Sequence, residues 1–207
     1  MSDGAVVRVL TGRGSRTADR EALLAFVAEV TDTDTASVTV VRRCPQCGAA
    51  DHGRPAADVD GRHLGVSLSR TSGALALAVG PGTIGVDVER PSRVTAAGLD
   101  VFTSGERDRA SRSASVPVHL TACWAVKEAV LKRDGRGLRV DPSAVDSVLG
   151  PVASGADVHM AAFDGLVQPV TVLRLDDDLV LAVAAGGAPV DVQDRRDRSD
   201  AVPRSVV

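Results

Sequence analysis

The segment Gly80-Pro81-Gly82 is the strongest break in this chain of 207 residues. Glycine next to proline favours a turn and interrupts both helices and strands. Stretches with a strand pattern lie on both sides of the break, at 74–79 and at 84–89. The break therefore predicts a hinge between two halves of about 100 residues each, which is a usual size for small domains.

Apolar runs and alternating patterns predict further elements in both halves. We expect additional strands at 5–10, 37–41 and 64–70, a helix ending near Val30, and late strands near 143–149, 157–163, 169–175 and 179–184. Thr103 and Glu106 have capping-box spacing and predict the start of another helix. From residue 186 onward the chain is polar and rich in charge, and we interpret 186–207 as a disordered tail.

The strand predicted at 84–89 has two carboxylates on one face. Ile84, Val86 and Val88 face one way, and Asp87 and Glu89 face the other. Two positions along a strand span roughly 6.6–6.8 Å at the backbone, so two such side chains can converge on a hard cation such as Mg²⁺. A strand with a polar outer face would show the same pattern.

A helix is predicted from about residue 117 to Gly135, and it contains both lysines of the chain, Lys127 and Lys132; the other 22 basic residues are arginines. Trp124, Glu128 and Lys132 follow each other at four-residue steps, so they lie along one side of the helix. Lysine carries its charge on a small ammonium group, whereas arginine carries it on a larger, planar guanidinium group. A site that binds one phosphate oxygen can distinguish the two. An ordinary exposed pair between Glu128 and Lys132 is the alternative.

The stretch Cys44-Pro45-Gln46-Cys47, followed by His52, resembles the start of a zinc site. A knuckle of that kind would need a ligand at residue 57, and Ala57 cannot serve, which leaves His63 as the nearby substitute. A surface loop shaped by glycine and proline is the alternative, and the sequence leaves both interpretations open.

Composition excludes several classes of function. A net charge of −3 argues against a broad nucleic-acid surface. Three cysteines do not form a disulfide framework, and no apolar run reaches the eighteen residues that a membrane span needs. We therefore expect a soluble, cytoplasmic protein that binds neither nucleic acid nor membrane.

Taken together, Gly-Val-Asp-Val-Glu and, about forty residues later, Trp-Ala-Val-Lys-Glu-Ala-Val-Leu-Lys resemble the signature of the surfactin-type (Sfp-type) 4'-phosphopantetheinyl transferases. The resemblance extends to His-Gly-Arg-Pro at 52–55, to Val-Ser-Leu-Ser at 66–69 and to Gly-x-Gly-Leu at 135–138. That family usually has histidine after the Ser-x-Ser strand, where this chain has Arg70. Arginine also binds phosphate, and it does so with two parallel hydrogen bonds.

The resemblance implies an α+β fold, in which a pseudo-dimer of two similar α+β halves holds coenzyme A in the cleft between them. It implies a first half at 1–82 that grips coenzyme A, a second half at 83–185 with the catalytic residues, and a monomeric protein. The implied reaction transfers the phosphopantetheine group of coenzyme A to a serine of an acyl or peptidyl carrier protein and releases 3',5'-ADP.

The resemblance also implies roles for individual residues. Those implied to bind Mg²⁺ are Asp87, Glu89 and Glu128. Those implied to bind coenzyme A are Arg54, Ser69, Arg70, Lys127 and Lys132. Glu128 is also the expected general base toward the serine hydroxyl, and Lys132 is expected to neutralise a phosphate oxygen. The alternative is an inactive homologue that binds coenzyme A or a carrier protein.

Overall fold

The computed structural model describes residues 4–12, 14–44, 47–50, 53–152, 154–176 and 178–196. In this part of the chain, strands form two sheets and helices cover their outer faces. The predicted mixed α+β class is therefore confirmed. Among the same residues, no helix is both long and apolar enough to cross a membrane.

The first sheet is built mainly from the first half of the chain. Its strands are β1 (Ala5–Thr11), β2 (Val38–Arg43), β3 (Arg54–Val59), β4 (Arg62–Thr71), β5 (Ala74–Gly80) and β11 (Val190–Asp194). Their spatial order is β11-β1-β5-β4-β3-β2. One helix, α1 (Arg16–Thr31), covers this sheet by packing Leu23, Phe26 and Val27 against Leu75 and Leu77.

The second sheet contains the remaining strands. They are β6 (Gly85–Glu89), β7 (Asp146–Val148), β8 (Asp157–Phe163), β9 (Leu166–Asp176) and β10 (Leu179–Ala184), in the order β6-β10-β9-β8-β7. The helices of this half are α2 (Pro91–Ala97), α3 (Ser104–Ser111) and α4 (Val116–Asp134). Because α4 is apolar along one side, Val126 and Val130 pack against Val172 and Val180 of the sheet.

The two halves connect their strands in the same order. In the first half a strand and a helix are followed by four strands, and the sheet order is β1-β5-β4-β3-β2. In the second half a strand and three helices are followed by four strands, and the sheet order is β6-β10-β9-β8-β7. The topology is therefore repeated, although the sequence itself shows no repeat.

The two sheets pack face to face at the centre of the molecule. Val86 and Leu181 of the second sheet lie in one buried cluster with Val7, Val9 and Ala76 of the first. The layers thus run from α1 through the two sheets to α4. This arrangement places β4 beside β6, and that contact forms the floor of the candidate site.

The C-terminal segment corrects one prediction. Residues 190–194, which we interpreted as part of a disordered tail, form β11 and pair in parallel with β1, so that Ala5 lies opposite Val190. The chain therefore returns to the first sheet after β10, the last strand of the second sheet. Residues 197–207 lie outside the described part of the chain.

Candidate active site

The carboxylates of β6 point away from the core. Val86 and Val88 are fully buried between the sheets, whereas Asp87 and Glu89 face a cavity at the junction of the two halves. Asp87 is only 3% exposed, and Glu89 is half-buried. The alternation in the sequence thus places two acidic groups on one wall.

Hydroxyl groups of β4 hold these carboxylates from the other half of the chain. Ser69 donates a hydrogen bond of 2.7 Å to Oδ1 of Asp87, and Thr71 donates one of 3.0 Å to Oε2 of Glu89. On the same face of β4, the hydroxyl of Ser67 accepts a 3.1 Å bond from the backbone N–H of Val86. Because β4 and β6 belong to different sheets, these side chains replace the backbone bonds of a regular ladder.

Helix α4 supplies the opposite wall. It lies so close to β6 at Gly85 that a Cβ there would stand 1.9 Å from the carbonyl oxygen of Ala129. Glycine is required at that position for this close approach. Lys132, one turn further along α4, donates to Oδ1 of Asp87 at 2.6 Å and to the carbonyl oxygen of Val86 at 3.1 Å.

These elements enclose a cavity of about 300 Å³, which we call the carboxylate cavity. It is lined by Leu68, Ser69, Arg70, Asp87, Glu89, Trp124, Glu128 and Lys132. The four-residue spacing of Trp124, Glu128 and Lys132 therefore has the geometric result that the sequence predicts. Three carboxylates, a lysine and an arginine meet in one small volume.

The crowding of negative charge changes the acidity of two groups. Burial, followed by the charge of Asp87, raises the pKa of Glu89 above its ordinary value. Burial and the charge of Asp87 also raise the pKa of Glu128, and Glu89 adds to the effect while Lys132 opposes it. A cluster of this kind attracts a cation, because a positive charge removes the mutual repulsion of the carboxylates.

The donor set suits a hard divalent cation, although it is not drawn together around one point. Oδ2 of Asp87 is buried and has no hydrogen-bond partner, so it can serve as a ligand without breaking a contact. Among the described residues, however, no group of three acidic, histidine or cysteine side chains stands close enough to hold a metal. Repulsion keeps unneutralised carboxylates apart, and a bound cation would have to draw the side chain of Glu128 or Glu89 inward.

A larger cavity of about 620 Å³ lies next to the carboxylate cavity and shares Leu68 and Lys132 with it, and we call it the basic cavity. Its basic lining residues are Arg42, Arg54, Lys132, Arg136 and Arg139, and none of its described lining residues is acidic. Arg136 pairs with Asp134 and Asp164, and Lys132 pairs with Asp87, but this surface still carries more cationic than anionic groups. It suits a ligand with several phosphate groups.

Both arginines that the sequence assigns to coenzyme A lie at this junction. Arg54 donates bonds of 2.6 and 3.3 Å to the carbonyl oxygens of Arg133 and Asp134, so it caps the C-terminal end of α4 from the first half. Arg70 lines the carboxylate cavity and pairs with Asp19 of α1 at 3.1 Å. Ser69, the third such residue of the first half, directs its hydroxyl to Asp87.

Lys127 lines neither cavity, so the structure gives no support to its predicted contact with coenzyme A. Its side chain is fully buried, where it pairs with Glu106 at 2.9 Å and donates to the carbonyl oxygen of Val145. Adjacent helix positions point about 100° apart. Glu128 therefore faces the cavity, while Lys127 faces the interior of the second half.

The proposed zinc loop is only partly described. Ala57 is fully buried in β3, and His63 lies beside Asp58, with 3.0 Å between Nδ1 and Oδ2. Cys44 lines the basic cavity, and Cys47 is exposed. Pro45, Gln46 and His52 lie outside the described residues, so the zinc interpretation stays a prediction.

Several basic residues of the site were not predicted. Arg42, Arg136 and Arg139 line the basic cavity, and Arg93 of α2 donates a 3.0 Å bond to the hydroxyl of Thr71. These residues belong to no motif, and the chain contains 22 arginines. Only the fold separates the arginines of the site from those elsewhere.

The fold and the site define a mixed α+β protein with a carboxylate–lysine cluster beside a basic cavity. Residues 83–183, which are 101 of the 207 residues, match the family model of the 4'-phosphopantetheinyl transferase superfamily. The matched segment includes Asp87, Glu89, Glu128 and Lys132. A sequence comparison with curated proteins found no match.

Proposed function

We propose that this protein is a 4'-phosphopantetheinyl transferase of the surfactin type. It transfers the phosphopantetheine group of coenzyme A to a serine hydroxyl of an acyl or peptidyl carrier protein and releases 3',5'-ADP. The superfamily match in the second half supports the reaction class. The repeated strand order supports the pseudo-dimer that the resemblance implies.

One observation carries the proposal. The carboxylate cavity and the basic cavity share the lining residues Leu68 and Lys132, so an acidic cluster lies next to a cationic surface. A substrate with a diphosphate needs both features. Its phosphates fit the arginines, and its reacting phosphorus lies nearest to the carboxylates.

Glu128 and Lys132 have different roles in the proposed reaction. The serine oxygen of the carrier forms a bond to the phosphorus next to pantetheine, and the bond from that phosphorus to the bridging oxygen of 3',5'-ADP breaks. Glu128, which lines the carboxylate cavity, accepts the serine proton. Lys132 neutralises charge on the diphosphate with the N–H group that its bonds to Asp87 and to the carbonyl oxygen of Val86 leave over.

The residues that would hold Mg²⁺ are Asp87, Glu89 and Glu128. Asp87 offers the orphaned Oδ2, while Ser69 and Thr71 orient the two β6 carboxylates from behind. A bound Mg²⁺ would stabilise the negative charge that develops on the bridging oxygen as 3',5'-ADP leaves. The arginines of the basic cavity orient the nucleotide, so that the diphosphate is directed toward Glu128.

A direct assay of phosphopantetheine transfer tests this proposal. The protein is incubated with coenzyme A, Mg²⁺ and a panel of apo-carrier proteins, and the carriers are weighed by mass spectrometry. The proposal expects the mass of phosphopantetheine on at least one carrier, and it expects no gain for a carrier whose acceptor serine is alanine. If coenzyme A binds but no carrier in a broad panel gains mass, the inactive homologue becomes the better interpretation.

A further inference from the structure

A separate cavity lies at the first turn of α4, well away from the carboxylates. It has a volume of about 390 Å³, and we call it the α4-start cavity. The lining residues used below are Arg109, Arg112, Val118, His119, Leu149 and Arg174. His119 and Glu128 are roughly 13 Å apart along the helix axis at 1.5 Å per residue.

The α4-start cavity is positively charged. Three arginines contribute to its wall: Arg109 from α3, Arg112 just after that helix and Arg174 from β9, and none of its described lining residues is acidic. Arg109 pairs with Asp146 at 3.1 Å, and Arg112 forms an exposed pair with Asp108. An exposed pair of that kind is weak and exchanges easily for another anion.

The start of α4 adds to this positive character. Ser115 is the capping residue of the helix, but its side chain makes no capping hydrogen bond. The first N–H groups of an α-helix have no partner inside the helix, and the helix dipole makes this end attractive to anions. The cavity therefore combines an arginine wall with a helix start that lacks a side-chain cap.

Two buried polar atoms at this cavity lack partners. His119 is 4% exposed, and among the described residues its Nε2 and the Nε of Arg109 have no hydrogen-bond partner. An unpaired buried polar atom is destabilising, and a bound group or a buried water would remove that cost. Burial lowers the pKa of His119, the charges of Arg109 and His159 lower it further, and Glu106 opposes them.

We propose that the α4-start cavity binds a small organic anion. Its charged group meets Arg109, Arg112 and His119, and its apolar part lies against Val118 and Leu149. The apolar side chains of the wall favour an organic anion over an inorganic ion. A carboxylate or a phosphate monoester with a short hydrocarbon chain would fit. This inference does not depend on the transferase reaction, because the cavity shares no residue with the carboxylate cavity or the basic cavity.

The test uses the four histidines of the chain as local reporters. The full-length protein is labelled with ¹³C-histidine, and the ring signals are assigned by replacing each histidine in turn. Hexanoate, hexyl phosphate and the neutral hexanol are titrated separately. We expect at least one of the anions to shift the His119 signal saturably while the exposed His63 signal stays in place. We expect hexanol to bind at least tenfold more weakly.

Two charge reversals, one within α3 and one directly after it, separate a specific site from general attraction. Arg112→Glu should raise the half-saturating anion concentration by more than tenfold. Arg107→Glu is the matched control, because Arg107 is also exposed and paired with an aspartate but does not line the cavity. Absence of a His119 shift with either anion would overturn the proposal and leave an ordinary buried water as the partner. Equal binding of hexanol, or equal effects of the two reversals, would overturn it as well.

Discussion

The hydroxyl of Ser69 lies 2.7 Å from Oδ1 of Asp87 and joins the two halves of the molecule at the candidate site. The same carboxylate oxygen also accepts a 2.6 Å bond from Lys132. Asp87 is therefore held from both sides through one oxygen, and its other oxygen stays without a partner. The orientation of the Asp87 carboxylate is thus fixed by groups from β4 and from α4.

We predict that Ser69→Ala raises the Mg²⁺ concentration needed for transfer and lowers the free energy of unfolding only slightly. Without the hydroxyl, Asp87 loses one of the two groups that fix its orientation. The Mg²⁺ concentration for half-maximal transfer should rise severalfold, and the free energy of unfolding should fall by about 1 kcal/mol. Transfer assays over a range of Mg²⁺ concentrations, together with urea unfolding, measure the two effects.

Ser67→Ala is the matched control for that variant. Ser67 lies on the same face of β4 and also bonds to β6, but it accepts from the backbone N–H of Val86 and contacts no carboxylate. It should lose a similar amount of stability without changing the Mg²⁺ response. If both variants shift that response equally, the hydroxyl of Ser69 has no special role toward Asp87.

We predict that Lys127 is essential for stability and not for binding coenzyme A. Both members of its ion pair with Glu106 are fully buried, and Glu106 also accepts bonds from the backbone N–H groups of Thr103 and Ser147. Lys127→Met leaves an unpaired buried carboxylate, which typically costs about 3–5 kcal/mol. Urea unfolding measures this loss.

The double variant Lys127→Met/Glu106→Gln tests the origin of the effect. It removes both charges, so it should recover part of the stability that Lys127→Met loses. Its dissociation constant for coenzyme A should equal that of the wild type when both are folded. A large rise in that constant at unchanged stability would instead restore Lys127 to the coenzyme A site.

The sequence predicts well those elements whose signal is local. The alternation at 84–89 and the four-residue spacing of Trp124, Glu128 and Lys132 led to the right faces of β6 and α4. The capping box between Thr103 and Glu106 is also present. In each case the pattern and its structural consequence lie within one element.

What the sequence misses depends on distant partners. β11 is short and polar, and it becomes a strand because β1, at the other end of the chain, offers it an unpaired edge. Arg54 begins β3 next to a proline, a start that no local pattern predicts, because β3 pairs there with β2 and the Arg54 side chain reaches α4. Lys127 is next to Glu128 in sequence, and only the buried position of Glu106 shows that the two residues serve different sites.

We predict that Glu128 makes the metal-free protein less stable as the pH rises. Burial and the charge of Asp87 raise the pKa of Glu128 above its ordinary value of 4.5, so the folded protein holds this proton to a higher pH than the unfolded chain does. Unfolding then releases a proton, and stability falls as the pH rises from about 4.5 through the raised pKa. Glu128→Gln should remove this loss and be more stable than the wild type at pH 7 in EDTA.

Urea unfolding in EDTA across a pH series checks this prediction. Glu29→Gln gives a comparison of opposite sign, because the hydrogen bond from Arg8 lowers the pKa of Glu29. That variant should lose stability relative to the wild type at pH 7 and approach it in acid. A wild-type-like pH profile for Glu128→Gln would show that its carboxylate is not repelled by its neighbours.

We predict that Arg70 binds coenzyme A and does not contact the carrier protein. Its side chain is partly exposed in the carboxylate cavity, and Asp19 holds it in place from α1. Arg70→Ala should raise the Michaelis constant for coenzyme A by about tenfold, which corresponds to the loss of one charged hydrogen bond. The constant for the carrier should change little. Arg107→Ala, in an exposed pair away from the cavity, is the control, and an effect confined to the carrier would reverse the assignment.

The last prediction concerns the shape of the cation at the junction of the two cavities. Lys132 fits between β6 and α4 where Gly85 brings them into close contact, and its ammonium reaches both Asp87 and the carbonyl oxygen of Val86. A planar guanidinium keeps the charge, but it is larger and cannot occupy the same space. Lys132→Arg should therefore be nearly as damaging as Lys132→Ala, with turnover reduced about 10²–10³-fold in both.

Arg133→Lys, the reverse exchange at the next position, should retain most of the activity, because Arg133 lines neither cavity. Turnover is measured with saturating coenzyme A and carrier. Near-normal turnover of Lys132→Arg would mean that this position requires only a positive charge, and the presence of lysine there would then have no catalytic explanation.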